Sequence, residues 1–306
     1  MPKRKKKLSQ GIPVLLTIVG LIGLGVIIAV LMRGKDIILL NPKGLIADQQ
    51  LKLMITATLI MLEIAIPALF FVYYFAWKYR ETNEKATYEP NPRHGKLFTI
   101  AIWTFPTITM LLLAVLLVPA TYKLQPKKPI HEGSKALSVQ VVAMRWKWLF
   151  IYPEHNIATV NYVQIPIDTP VQFELTADET PMSSFWIPHL GGQLYAMTEH
   201  VNRLNLIADT LGDYEGSAAE INGSGFAGMR FNTRVSTKED FDKWVQDTAV
   251  SSEELNSSEY ERLLEPSENH PAAFYSKPGP EIYSNILSKY AGGHEQNTET
   301  GEHTGH

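Results

Sequence analysis

The chain has 306 residues, no cysteine and a formal net charge of −3 at pH 7. The absence of cysteine excludes disulfides, thiolate metal sites, iron–sulfur clusters and thiol nucleophiles. Because the chain carries no excess of basic residues, it lacks the charge that binding to a phosphate backbone requires, and we expect no nucleic acid as a partner.

Three long apolar segments precede residue 123. Leu8–Met32 and Leu97–Tyr122 contain no charged residue, and Leu53–Trp77 contains only Glu63. Each exceeds the roughly 20 residues that a helix needs to cross a bilayer. Leu53–Trp77 also ends in an aromatic cluster, as membrane spans do at the level of the lipid headgroups. The pattern predicts three membrane-spanning helices.

The second and third spans form a predicted transmembrane hairpin over residues 50–123. The first span, with its basic N-terminus, occupies residues 1–33 and is interpreted as a retained helix or an uncleaved signal anchor. A basic start followed by an apolar stretch also fits a cleaved signal peptide, and this alternative stays open.

Lysine and arginine residues are concentrated in two short segments of the N-terminal part. One precedes the first span, and the other connects the second span to the third; they contain Lys3, Arg4, Lys5, Lys6 and Lys7, and Lys78, Arg80, Lys85, Arg93 and Lys96. Short loops rich in these residues stay on the cytoplasmic side of a membrane. The part of the chain after Tyr122 is therefore predicted to lie outside the cytoplasm.

Short β-rich runs bounded by Pro, Gly, Asp and Asn follow from about Leu137. They are LSVQVVAM, RWKWLFIY, IATVNYVQI, PVQFELTA, SFWIP, VNRLNLIA and MRFNTRV. Strands of this length with frequent turn signals are typical of a sandwich or barrel of about 100 residues. We predict one all-β domain over residues 134–236.

The C-terminal part is predicted to be a helical extension over residues 237–291. Ser236 and Glu239 have the spacing of a capping box, and the apolar residues after them indicate an amphipathic helix to about Val250. A further helix is expected near the end of the extension. Residues 292–306, which contain three histidines, have too little apolar surface to pack and are expected to be disordered.

Several of these segments together resemble subunit II of the haem–copper respiratory oxidases. The resemblance is carried by KLQPKKP, VVAMRWKWLFIYPE and SFWIPHLGGQLYAMTEHVNRLNLIA, and it extends from about Asn41 to KPGPEIYSNI near the end of the chain. It implies a cupredoxin-like periplasmic domain anchored by helices in the bacterial cell inner membrane.

The cytochrome c oxidases of this family bind a dinuclear copper centre in the loop that corresponds to residues 217–229. Two histidines, two cysteines, a methionine and a glutamate carbonyl supply the ligands. In this chain Ser183 and Phe226 occupy the histidine positions, Ala218 and Asn222 occupy the cysteine positions, and only Glu220 and Met229 match. Because soft thiolates hold such a copper pair, we expect no metal in this chain.

The loss of these ligands resembles the ubiquinol oxidases of the bo type. The resemblance implies subunit II of a four-subunit, proton-pumping complex that oxidises ubiquinol and reduces dioxygen to water. Haems and copper would reside in subunit I, and this chain would have a structural role beside subunits I, III and IV and membrane lipid. The alternatives are subunit II of a cytochrome c oxidase and a membrane-anchored periplasmic binding module.

Two features depart from the pattern of that family. The first apolar segment is not followed by a lipoprotein cysteine, which excludes a lipid anchor there. Thr99 and Ile100 stand where relatives place a carboxylate associated with proton uptake. The resemblance therefore does not extend to a proton-uptake role for this subunit.

A few single residues are candidates for subunit contacts. Glu63 lies inside a span, where a carboxyl group is costly, and we interpret it as a protonated or hydrogen-bonded group against a neighbouring subunit. Trp146 and Trp148 alternate with basic residues, which predicts a strand with one core face and one face toward subunit I. His189 and His200 lack the spacing and the soft partners of a copper site.

Overall fold

A computed structural model describes residues 19–20, 23, 25–27, 30, 33–34, 37–81, 83, 95–130, 135–180 and 182–291. Most of the first predicted span and the whole predicted tail after residue 291 lie outside these residues. The chain divides into two units, residues 1–41 and 42–306. In the first unit a short 3-10 turn occupies Ile38–Leu40. The helices and strands described below belong to the second unit.

Two long helices form the predicted hairpin. Helix α1 is Leu45–Lys78 and helix α2 is Lys96–Lys123, and both are long and apolar enough to cross a membrane. Most of their apolar side chains are exposed in the isolated chain, and the others are half-buried. Thr109 is the residue of the two helices that is buried. Since exposed apolar surface of this extent is stable only against lipid or another protein, the hairpin is a surface that one or the other must cover.

The end of α1 carries the aromatic cluster seen in the sequence. The Lys78 ammonium lies 5.7 Å from the ring centre of Tyr74, and the Arg80 guanidinium lies 5.0 Å from that of Trp77. Such cation–π pairs suit the boundary between hydrocarbon and headgroups, where one side of an aromatic ring is apolar and the other is wet.

Eleven strands form a sandwich after the hairpin in the part of the chain that the structure describes. They are β1 Leu137–Met144, β2 Lys147–Tyr152, β3 Ile157–Val160, β4 Tyr162–Pro166, β5 Val171–Ala177, β6 Ser183–Trp186, β7 Leu194–Ala196, β8 Asn202–Leu206, β9 Gly212–Ala218, β10 Arg230–Ser236 and β11 Ala273–Ser276. One sheet has the order β11-β3-β2-β1-β5-β8 and the other β4-β10-β9-β6-β7. Strand β1 pairs parallel with β5 and antiparallel with β2, so the first sheet is mixed.

The core between the sheets is rich in aromatic residues. Phe185 and Phe231 stack with ring centres 5.0 Å apart, and Trp148 meets Phe185 edge-to-face at 5.3 Å. Phe231 comes from β10, whose residues alternate between the core and the surface, whereas Trp148 and Phe185 come from strands that are buried along most of their length. A two-helix membrane part followed by a β-sandwich is thus confirmed.

The C-terminal extension differs from the predicted helical segment. Helix α3, Lys238–Ala249, is capped by Thr237, whose hydroxyl accepts from the Asp240 amide, so the prediction of Ser236 as the cap is wrong by one residue. Helices α4, Ser257–Leu264, and α5, Ile282–Ala291, follow, and β11 lies between them. The extension therefore adds a strand to the six-stranded sheet.

Helices α4 and α5 cover the outer face of the six-stranded sheet. Leu149 and Ile151 of β2 pack there against Tyr260, Leu263 and Ile286. This third layer explains why every residue of β2 is buried although a two-layer sandwich leaves one face of each sheet in water.

The hairpin and the sandwich are joined through backbone hydrogen bonds. The Lys43 amide donates to the carbonyl of His189 at 2.8 Å, and the Asp209 amide donates to that of Lys43 at 3.0 Å. On the other side, the Asn205 amide donates to the Pro126 carbonyl at 3.1 Å. The start of α1 and the end of α2 therefore both lie at the sandwich.

Candidate functional site

The positions related to the copper ligands converge at one end of the five-stranded sheet. The Ala218 amide donates to the Met229 carbonyl at 3.0 Å, and the Ala219 amide donates to the Ser184 carbonyl at 2.9 Å. These bonds hold the loop between β9 and β10 against the start of β6. Residues far apart in sequence are thereby placed side by side.

A hydrogen-bonded cluster of neutral groups lies at the centre of this loop. The Asn222 side-chain amide donates to Ser183 Oγ at 2.8 Å and to Met229 Sδ at 3.2 Å. Ser183 and Met229 are fully buried. Three of the six positions are therefore in direct side-chain contact, and we call this set the Asn222 cluster.

The other three positions do not join the Asn222 cluster through polar contacts. Ala218 is buried and has no polar side-chain atom, and Phe226 is half-buried against the sandwich core. The Glu220 side chain is exposed. The loop combines a small polar cluster with apolar packing.

Trp146 supports the loop from the neighbouring sheet. A Cβ atom added to Gly225 would lie 2.4 Å from the Trp146 indole, so only glycine fits there. Gly223 has φ +126°, which also favours glycine. The Trp146 indole N–H points to the Asn222 carbonyl at 3.4 Å. The spaced glycines therefore bring the loop backbone onto an aromatic ring.

The copper donor set does not fit this arrangement. Among the described residues, no group of three or more His, Asp or Glu side chains is placed to hold a metal ion, and the chain has no cysteine. A hydroxyl, a carboxamide and a thioether are weak ligands for a thiolate-type copper pair. The Asn222 amide also spans the gap between Ser183 and Met229, which are two of the positions concerned.

The predicted alternation of Trp146 and Trp148 on one strand is wrong in part. Trp146 lies in the turn before β2, with φ 63°, and Trp148 is fully buried in the sandwich core. Lys147, a basic residue that alternates with these tryptophans, is buried because α4 covers it, and its ammonium donates to the carbonyls of Leu263 and Glu265. Trp148 is thus excluded as a residue that touches another subunit.

The remaining candidates lie at exposed positions or away from the loop. Glu63 is exposed near the middle of α1, and Thr99 and Ile100 are exposed in the first turns of α2. His189 is buried with its ring 5.0 Å from that of Tyr214, and His200 is exposed. A role of Glu63 or Trp146 in subunit contacts stays a prediction.

A second polar cluster was not predicted from the sequence. The buried Asp178 carboxylate accepts from the hydroxyls of Tyr260 at 2.6 Å and Tyr290 at 2.7 Å, and it pairs with the Lys289 ammonium at 2.9 Å. We call this set the Asp178 cluster. It joins the end of β5 to α4 and α5, whose residues are more than 80 positions away in the sequence. Because Asp178 meets its partners only through these long-range contacts, no local sequence pattern predicts the cluster.

The pKa values in the Asp178 cluster shift with burial and charge. Burial raises the pKa of the Tyr260 hydroxyl, and its hydrogen bond to Asp178 raises this pKa further. Burial alone would lower the pKa of Lys289, but hydrogen bonds with Asp178 and Glu179 outweigh it and leave this pKa raised. The folded state thus favours protonated tyrosines and a charged lysine around one carboxylate.

Comparison with known proteins places the chain in a family. A family profile described as the COX Aromatic Rich Motif matches residues 250–294, the segment that supplies Tyr260, Lys289 and Tyr290. The chain is 43% identical over 262 residues to cytochrome bo(3) ubiquinol oxidase subunit 2 of Pseudomonas putida, with 86% of this chain and 83% of the relative covered. It is 39% identical over 276 residues to ubiquinol oxidase subunit 2 of Acetobacter aceti, with 90% and 89% covered.

Among solved structures, the chain is similar to the periplasmic domain of subunit II of cytochrome oxidase of Bradyrhizobium japonicum. The identity is 19%, the TM-score is 0.36, and the match covers 40% of this chain and 96% of that domain. The two full-length relatives are far more similar in sequence. On their identity and coverage, the chain belongs to the family of ubiquinol oxidase subunit 2.

Proposed function

We propose that this chain is subunit II of a proton-pumping ubiquinol oxidase in a bacterial inner membrane. In that reaction two ubiquinol molecules give up four electrons and four protons, and one dioxygen molecule is reduced to two molecules of water. Family membership and the Asn222 cluster support the proposal together. The relatives named above carry the substrate in their names.

The observation that carries the proposal is the hydrogen bonding of Asn222 to Ser183 and Met229. In this arrangement the loop contributes packing and neutral hydrogen bonds. It offers no soft anionic ligand through which a copper pair could take electrons from a cytochrome. Electrons would then reach the complex from a quinol within the bilayer, and the chain itself would bind no cofactor.

The role we assign to the chain is architectural. The exposed apolar faces of α1 and α2 would pack against subunits I, III and IV and against lipid, and the sandwich would cap the outer surface of subunit I. Haems and copper would reside in subunit I. Glu63 on α1 and Trp146 at the loop are the side chains proposed to contact other subunits.

The orientation follows from charge. Lys78, Arg80 and Lys96 lie at the end of the hairpin opposite the sandwich, because α1 begins and α2 ends at the sandwich. Short basic loops remain cytoplasmic, so we place the sandwich of residues 134–236 and the extension of residues 237–291 in the periplasm.

Affinity purification of the tagged full chain from membranes tests this proposal. We expect a large haem-containing partner to co-purify and the complex to consume dioxygen with a reduced ubiquinol analogue. A colourless chain without partners would instead indicate the binding module. Turnover with reduced cytochrome c and no quinol would indicate a cytochrome c oxidase. A tagged sandwich lacking the hairpin serves as the control, and it should recover less haem because the helices carry most of the proposed contact.

A further inference from the structure

A cavity of about 210 Å³ lies where the hairpin meets the sandwich. Its walls come from the first turns of α1, from the end of α2 with the following linker, and from strand β8 and the loop before β7 of the sandwich. The Asn205 amide groups of backbone and side chain both donate to the Pro126 carbonyl, at 3.1 Å and 2.9 Å. These bonds fix the linker to the sandwich, so the cavity is part of a defined junction.

The lining of this junction cavity favours an anion. Lys123 and Lys128 line it, and no aspartate or glutamate does. Neither lysine forms an ion pair among the residues that the structure describes. The nearby Asp48 is paired with Lys52 at 2.6 Å and is therefore neutralised. The cavity thus carries uncompensated positive charge.

The remaining lining groups suit a headgroup that is attached to apolar chains. Gln49, Gln50 and Gln125 offer side-chain amides, which donate to phosphate oxygens, while Leu45 and Ile46 supply an apolar wall. Below the cavity lie the exposed apolar sides of α1 and α2, where acyl chains would be covered. The hydrogen-bond donors and the lysines therefore line the cavity, and the apolar surface of the helices lies below it.

We propose that the junction cavity binds the phosphate of an anionic phospholipid of the outer leaflet, of the phosphatidylglycerol type. The two lysines attract the phosphate, the glutamine amides donate hydrogen bonds to its oxygens, and the acyl chains lie along the hairpin. The proposal rests on the membrane placement given above. A lipid bound there would contact both the hairpin and the sandwich and would stabilise the angle between them.

Competitive lipid retention by the full chain tests the proposal. The chain is reconstituted in nanodiscs with equal amounts of phosphatidylglycerol and phosphatidylcholine and is then transferred to detergent, and retained lipid is identified by native mass spectrometry. We expect preferential retention of phosphatidylglycerol. Lys123→Gln and Lys128→Gln should each reduce it about five-fold, since a lysine near an anionic headgroup contributes about 1 kcal/mol.

Two matched variants control for charge and for folding. Lys127→Gln removes the same charge from the same linker, but Lys127 does not line the cavity. Phosphatidylglycerol retention by this variant should therefore stay within about two-fold of that by the unmodified chain. Lys128→Arg keeps the charge and should retain the lipid. The melting temperature of each variant shows whether the sandwich is intact.

Three results would overturn the proposal. They are equal retention of both lipids, an equal loss in Lys127→Gln and Lys128→Gln, and stabilisation by millimolar inorganic phosphate as large as that by phosphatidylglycerol. The last result would assign the cavity to a free anion. None of them changes whether a haem-containing partner co-purifies, so failure of the lipid site and failure of the proposed function are distinguishable.

Discussion

The polar clusters around Asn222 and Asp178, in the sandwich and its C-terminal extension, are built from different groups. The Asn222 cluster joins a carboxamide, a hydroxyl and a thioether, all neutral. The Asp178 cluster joins a carboxylate to an ammonium and two phenols. Hydrogen bonds to charged groups contribute about twice as much as those between neutral groups. The difference indicates that the loop is held mainly by packing and the extension by charge.

The first prediction concerns the Asp178 cluster and has the largest expected effect. Asp178→Ala should lower the free energy of unfolding of the full chain in detergent by about 3 kcal/mol, because it leaves the buried Tyr260 phenol, the half-buried Tyr290 phenol and the Lys289 ammonium without their shared acceptor. Denaturant titration followed by tryptophan fluorescence measures this. Glu179→Ala is the control, since Glu179 also pairs with Lys289 but is exposed, and it should change stability by less than about 1 kcal/mol. Equal effects of the two substitutions would contradict the account.

Removal of one phenol gives the second prediction. Tyr260→Phe should cost about 1.5–3 kcal/mol near neutral pH, because the lost hydrogen bond goes to a charged acceptor. Tyr195→Phe, at an exposed position, should have no comparable effect.

The same substitution should change the pH dependence. The Tyr260 and Lys289 pKa values are both raised on folding, so their contributions are complete below about pH 10 and are lost as the pH rises above it. Stability of the unmodified chain should thus begin to fall above about pH 10 and should keep falling at higher pH, because both groups keep their protons longer in the folded state than in the unfolded one. Tyr260→Phe should show a shallower fall, and an unchanged slope would contradict the raised pKa of Tyr260.

The third prediction concerns packing at the loop. Gly225→Ala places a methyl group on the Trp146 indole and should cost about 1–3 kcal/mol. The cost should largely disappear in the background of Trp146→Ala, because the clash is then relieved. A double-mutant cycle of unfolding free energies measures this coupling, and additive effects would show that Trp146 does not support the loop.

The smallest effect is expected for the neutral cluster itself. Asn222→Ala removes hydrogen bonds to a hydroxyl and a thioether and should cost about 1 kcal/mol or less, as measured by the melting temperature. Its Oδ1 is buried and has no hydrogen-bond partner among the described residues, which further limits what the amide contributes. A loss as large as that of Asp178→Ala would show that the two clusters are equivalent.

The strands that sequence analysis predicted are those with alternating large residues. Strands β1 and β5 follow the predicted runs closely because Val, Phe and Leu alternate with polar groups. Strand β9 was missed because its inward residues include Gly216 and Ala218. Glycine is required at 216 since the Phe231 ring occupies the place of a Cβ atom, only 2.1 Å away. Because the inward positions of β9 include such small residues, its sequence lacks the alternation of large apolar residues that predicts a strand.

Other differences have topological causes. The run IATVNYVQI was predicted as one strand, but Asn161 adopts φ 52° and divides it into β3 and β4, which belong to different sheets. Buried Lys147 could not be predicted either, because the helix that covers it follows more than 100 residues later. The grouping of Ser183, Asn222 and Met229 was expected through family resemblance, whereas their hydrogen bonds depend on side-chain geometry.

The central claim is that the loop of residues 217–229 holds no copper pair, and metal analysis of the purified full chain tests it most directly. The chain is expressed with added copper and measured by mass spectrometry of metals and near-infrared absorption. A variant with Ser183→His, Ala218→Cys, Asn222→Cys and Phe226→His restores the ligand set and serves as the positive control. We predict copper far below one atom per unmodified chain and no near-infrared band. A stoichiometric copper pair in the unmodified chain would contradict the account.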